Sequence, residues 1–189
     1  MIDEVLVKGT VVRNLMNFIG EELSHQQIEG ALSKLPDDFA NSMRKPILLT
    51  ASHPVRLVNK LTEEAALAKG DPPEAFATRA GRAGASAAVK TVYKLLVVVL
   101  TVPALLSKAS RTWKTIYSQG DLVFESEEKG RARVFLREFP SDAIGCARIT
   151  GWMQKLGEMT KARNFSVTHI LCSARSAKEC EWKVSWGAD

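Results

Sequence analysis

The run Glu179-Cys180-Glu181-Trp182-Lys183-Val184-Ser185-Trp186 decides how this chain folds. From Glu181 onward its apolar and polar residues alternate, which is the period of a strand with one buried face. Val167-Thr168-His169-Ile170-Leu171-Cys172 has the same character just upstream, so the two form a terminal hairpin. A second pair, Leu122-Val123-Phe124-Glu125-Ser126 and Ala132-Arg133-Val134-Phe135-Leu136-Arg137, flanks a Lys129-Gly130 turn. Between the pairs, Pro140-Ser141-Asp142 caps a helix reaching about Lys161, whose core face is Ile144, Ile149, Trp152, Met153 and Leu156. Asn164 closes that helix. The C-terminal order is therefore ββαββ.

Working backward, the period changes from two to three and four. Val11, Val12, Leu15, Phe18 and Ile19 make one apolar stripe in a helical region running from Val5 to Leu35, bent or broken at Gly20. Ser24 is a natural N-cap for its second part, and Pro36 ends it. Phe39 to Leu49 is less regular. Val55 to Lys69 is a helix with Gly70 as terminator, and Asp71-Pro72-Pro73-Glu74 starts the next, Ala75 to Val89. The run Ala80-Gly81-Arg82-Ala83-Gly84-Ala85 predicts close approach of a neighbouring helix rather than a phosphate loop, because no strand precedes it and no Gly-Lys-Ser/Thr follows. Leu105 to Tyr117 is the last helix before the sheet. The expected fold class is α+β: a single domain of 189 residues, with a mainly helical layer over 1–120 packed on a C-terminal antiparallel ββαββ sheet over 121–189.

Composition narrows the function classes. Hydrophobic residues make up 46% and charged residues 25%, which allows a sizeable core and argues against disorder. The net charge of +5 is spread thinly, with 12 basic and 11 acidic residues through Leu95 and 14 and 10 beyond it. The densest basic run, Lys129-Gly130-Arg131-Ala132-Arg133, sits at a hairpin turn, so no nucleic-acid partner is expected. Leu95 to Leu106 is apolar for 12 residues, against about 20 needed to cross a bilayer. A buried segment, no membrane span and a cytoplasmic location follow as expectations. Cys146, Cys172 and Cys180 are too few for a disulfide scaffold.

Residues able to carry chemistry are sparse. There is no Gly-x-Ser-x-Gly elbow, no His-Glu-x-x-His and no Cys-x-x-Cys, so no catalytic residue and no metal are expected. The one cluster to weigh is His169, Cys172 and Cys180, with Cys146 as a fourth member. Residues 169 and 172 differ by an odd step and face opposite ways in a regular strand, so shared coordination would need a bulge. The plainer expectation is small buried side chains. A surplus of large apolar residues allows a ligand cavity between helices and sheet, lined by Val97, Leu100, Trp113, Phe135 and Trp152.

Val7-Lys8-Gly9-Thr10, Pro54-Val55-Arg56-Leu57-Val58, Trp113 to Gly120 and Cys180-Glu181-Trp182-Lys183-Val184-Ser185-Trp186 together resemble a family of uncharacterised bacterial paralogues. That family belongs to the superfamily of haem nitric-oxide/oxygen sensors, 4-vinyl-reductase-type hydrocarbon-binding domains and trafficking-complex subunits. The resemblance implies a non-enzymatic sensory or adaptor domain, binding a small hydrophobic ligand or a protein partner, or a ligand-free scaffold acting as a homodimer. Haem sensors of this type hold iron through a helical histidine before the sheet and grip the propionates with Tyr-x-Ser-x-Arg. Val89 to Leu106 contains no histidine, and the corresponding Phe124-Glu125-Ser126-Glu127-Glu128 keeps only the serine. A carboxylate at 128 would repel a propionate. No haem and no other cofactor are expected.

Overall fold

The structure, a computed structural model, describes residues 4–90, 101–127 and 130–187, and the side chains of 89 and 90 are outside the description. Val97 and Leu100, the Lys129 half of the first hairpin turn and Glu128 therefore lie outside the described residues.

The chain opens with a short strand, β1 (Leu6–Lys8), where a helix was expected. It pairs antiparallel with β2 (Ser52–Pro54), Val7 opposite His53. Three-residue strands carry too little alternation to be read from sequence. Tertiary packing makes this one: Val7 is fully buried, and Ser118 donates its backbone N–H to the Leu6 carbonyl at 2.9 Å. Helices α1 (Gly9–Glu22), α2 (His25–Leu32), α3 (Asp37–Met43), α4 (Val55–Lys69), α5 (Pro73–Lys90) and α6 (Val102–Ile116) follow. Ser24 and Gln27 close a capping box on α2, satisfying two otherwise orphaned backbone N–H groups. Gly70 ends α4 at φ +83°, a left-handed conformation that glycine adopts without steric cost. Thr101 caps α6, with Pro103 in its first turn.

The second half is the expected ββαββ unit. β3 (Asp121–Ser126) and β4 (Arg131–Arg137) precede α7 (Ala143–Glu158), which leads to β5 (Arg163–Leu171) and β6 (Cys180–Gly187). The antiparallel sheet runs β3-β4-β6-β5. Ala132, Val134 and Leu136 of β4 and Cys180, Trp182 and Val184 of β6 share its inner face, each at most 1% exposed. Burying a side chain such as Leu136 or Val184 contributes about 1.5–3 kcal/mol, so this face holds α7 firmly.

One apolar core joins the helical half to the sheet. Its tightest seam is between α5 and α7. A Cβ on Gly81 would lie 1.9 Å from the Arg148 carbonyl oxygen, and one on Gly151 would lie 2.0 Å from that of Thr78. The glycine-rich run thus does bring helices together, through Gly81. Gly84 has open space around it. At the start of α7, Asp142 accepts from the Gly145 backbone N–H and from Asn59 of α4, fixing the helix end against the helical half. No described helix is long and apolar enough to cross a membrane.

Candidate metal centre

Four elements bring four soft side chains to one point. Cys146 comes from the first turn of α7, His169 from β5, Cys172 from just past the end of β5, and Cys180 from the first position of β6. One ligand atom from each lies within 4.8 Å of every other. Cys146 Sγ stands 3.5 Å from Cys180 Sγ and 3.8 Å from Cys172 Sγ. A disulfide needs about 2.05 Å, so all three are free thiols. A zinc–sulfur bond of about 2.3 Å places two sulfurs of a tetrahedron about 3.8 Å apart. The observed separations match that edge.

The odd-step obstacle is removed by the feature the strand geometry demanded. His169 pairs with Trp182 and Leu171 with Glu181, so two residues of β5 advance against one of β6. Ile170 is the extra residue of a bulge. The bulge turns the chain by one position and delivers His169 and Cys172 to the same side.

The surroundings orient these ligands. Trp182, fully buried, stacks on the His169 ring at 4.7 Å and 19°. The short 3-10 turn Ser173–Arg175 folds over the site, and Cys180 Sγ lies 3.4 Å from the Ser173 N–H and 3.3 Å from its hydroxyl. The Cys146 thiol and then these Ser173 donors hold the Cys180 pKa well below the usual thiol range. Cys146, hydrogen-bonded to Cys180 and buried, is pushed far up. The pair therefore favours one thiolate, Cys180, sharing the Cys146 proton. A divalent ion would take the place of such protons. His169 Nε2 is buried without a hydrogen-bond partner among the described residues.

A cleft of about 450 Å³ opens onto the centre, with Cys146, His169 and Cys172 in its wall. Glu74 of α5 and Arg175 stand in the same wall and pair loosely at 3.8 Å.

The residues expected to line an apolar cavity are distributed differently. Trp113 stacks on Tyr117 at 4.1 Å and meets Phe139 edge-on at 5.3 Å. Trp152 packs against Ala85, Leu105 and Leu156. Phe135 lies on the outer face of the sheet, under the Arg137 guanidinium at 5.1 Å. Strand alternation explains the separation, because Val134 and Leu136 face inward. The expectation of no metal had set the cluster aside for lack of a familiar spacing. The signal present in the sequence was His169-x2-Cys172-x7-Cys180, with every cysteine of the chain inside the ββαββ unit.

No protein-family model matches the chain, and no curated protein matches it. Solved structures do. An H-NOX protein from S. oneidensis in the Fe(II)NO ligation state aligns over 95% of this chain and 99% of its own, with TM-score 0.74 and 11% identity. The Fe(II) unliganded H-NOX protein from K. algicida aligns over 96% and 97%, with TM-score 0.70 and 10% identity. An oxygen-binding H-NOX domain related to soluble guanylate cyclases, in its oxygen complex, aligns over 95% and 94%, with TM-score 0.69 and 12% identity. At these identities the likeness shows the fold: the chain has an H-NOX-like fold.

Proposed function

We propose that this protein is a non-enzymatic sensory domain of H-NOX-like fold, working without haem, whose working centre is a divalent metal of the zinc type held by Cys146, His169, Cys172 and Cys180. One observation carries the reading: four soft ligand atoms within 4.8 Å of one another, from four separate chain positions, in a largely buried site. Thiolate and imidazole ligands in tetrahedral number select zinc over harder ions. Three thiols kept free at ligand spacing suit a reducing compartment, in keeping with a cytoplasmic protein.

The residues present speak against haem. The chain has three histidines. His25 begins α2, exposed. His53 belongs to β2, edge-on to Phe39, and burial lowers its pKa. His169 belongs to the thiol cluster. On β3, Phe124 packs against the core, while Glu125 pairs with Arg137 and Glu127 with Arg133. These side chains supply neither an axial histidine between helices and sheet nor a cationic grip for propionates. The sensory role rests on the fold likeness together with the cleft that gives small molecules access to the centre.

Metal analysis of the purified protein tests the proposal. One zinc per chain is expected, lost on denaturation with chelator, with no Soret band after incubation with haemin. A metal-free protein that takes up neither zinc nor cobalt, or one that binds haemin stoichiometrically, overturns it.

A further inference from the structure

The cleft and the centre together raise the question of what enters. The four ligands are not equally held. The three sulfurs are buried at no more than 8% exposure, whereas His169 is only half-buried, stands beside the bulge and faces the cleft. A metal-bound histidine is ordinarily fixed by a hydrogen bond from its second ring nitrogen to a carboxylate or carbonyl. For His169 Nε2 no such partner exists among the described residues, and the ring is held by stacking on Trp182. It is the ligand most easily replaced, and a soft thiolate is the donor suited to replace it on a zinc-type ion.

The wall of the cleft specifies the rest of the incoming molecule. Glu74 and Arg175 present one carboxylate and one guanidinium, side by side at 3.8 Å and both well exposed. An exposed pair at that distance is worth about 0–1 kcal/mol, so a ligand bearing both charges loses little by separating it. Its ammonium would meet Glu74, and its carboxylate would meet Arg175, whose guanidinium fork suits that shape. Thr78 and Thr150 add hydroxyls to the wall. A volume of about 450 Å³ suits a molecule of amino-acid to small-peptide size.

We propose that the cleft is a binding site for a small zwitterionic thiol, which coordinates the metal in place of His169. This deepens the metal-centre reading and rests on it. The exchange balances without any oxidant. The thiol loses its proton as its sulfur bonds the ion, and the released imidazole of His169 takes up that proton. The signal is then local: a protonated, freed His169 beside Trp182, and a turn at 173–175 whose Arg175 has changed partner.

Cobalt(II)-loaded full-length protein, titrated with L-cysteine, tests this. Visible absorption is expected to change from a three-sulfur, one-nitrogen pattern to a four-sulfur pattern, saturably, with cobalt co-eluting with the protein. L-serine is expected to do nothing. The double variant Glu74→Gln, Arg175→Gln is expected to raise the half-saturating L-cysteine concentration about tenfold, the size of one lost charged contact, and to leave that for 2-mercaptoethanol unchanged. Both positions are exposed, so the variant should fold. An unchanged cobalt spectrum, removal of cobalt from the protein, or an L-cysteine response unaffected by the double variant overturns the inference while the metal centre stands. Failure to bind cobalt at all defeats the metal centre itself.

Discussion

The indole N–H of Trp182 donates to Thr150 Oγ1 at 2.7 Å, and that hydroxyl donates in turn to the Cys146 carbonyl at 2.8 Å. Two hydrogen bonds thus tie the strand that stacks on His169 to the helix that carries Cys146. Their consequence is positional, since neither touches a ligand sulfur.

Thr150→Val keeps the shape of the side chain and removes the link. Loss of an orienting group of this kind typically lowers metal affinity 10–100-fold. We expect a drop within that range for zinc, measured by competition with a chromophoric chelator, and an unchanged stoichiometry of one.

Deleting Ile170 removes the extra residue of the β5 bulge. With regular alternation restored, His169 and Cys172 should fall on opposite faces. Zinc stoichiometry is expected to fall to near zero, while far-ultraviolet circular dichroism still reports the sheet. Retained tetrahedral cobalt absorption in the deletion variant would count against the role given to the bulge.

Gly151→Ala and Gly84→Ala form a matched pair on the two ends of the glycine argument. The first puts a methyl 2.0 Å from the Thr78 carbonyl oxygen, while the second meets nothing within 4 Å. Overpacking costs about 1–3 kcal/mol, so the first variant should unfold at clearly lower denaturant concentration. Replacing a free helical glycine stabilises by up to about 1 kcal/mol, so the second should be neutral or more stable.

His53 supplies a pH dependence. Burial lowers its folded pKa below the ordinary value of 6.5. As pH falls through the unfolded value toward the lower folded one, the unfolded chain binds a proton that the folded chain resists, and stability declines. Above the unfolded value the effect is absent. Urea denaturation from pH 7.5 to 5.5 should show a smaller loss of stability in His53→Phe than in the parent. Equal slopes would dismiss the assignment.

Much of this molecule is legible from residues alone. The alternation in Leu122–Ser126, Ala132–Arg137 and Glu181–Trp186 marks real strands, and Ser24, Gly70 and Asp142 stand at the helix ends where their side chains or backbone freedom place them. These signals are local, because a cap or an alternation is complete within a few residues. The strand pair β1 and β2 was not legible, because its residues lie more than forty positions apart and become strands only by pairing. Phe135 shows the limit differently: its size suggested the interior, but a central strand has two faces and its register assigned the outer one.

For the candidate centre, the chain itself determined the ligand types: three thiols and one imidazole within the last 44 residues, with a free donor pair on each. Whether they meet was decided by tertiary structure. One inserted residue in β5 reverses the direction of Cys172 relative to His169, and the packing of α7 against the sheet brings Cys146 within 3.8 Å of Cys172. Side-chain direction in a strand reverses with every residue, so a single bulge outweighs any spacing rule read along the chain.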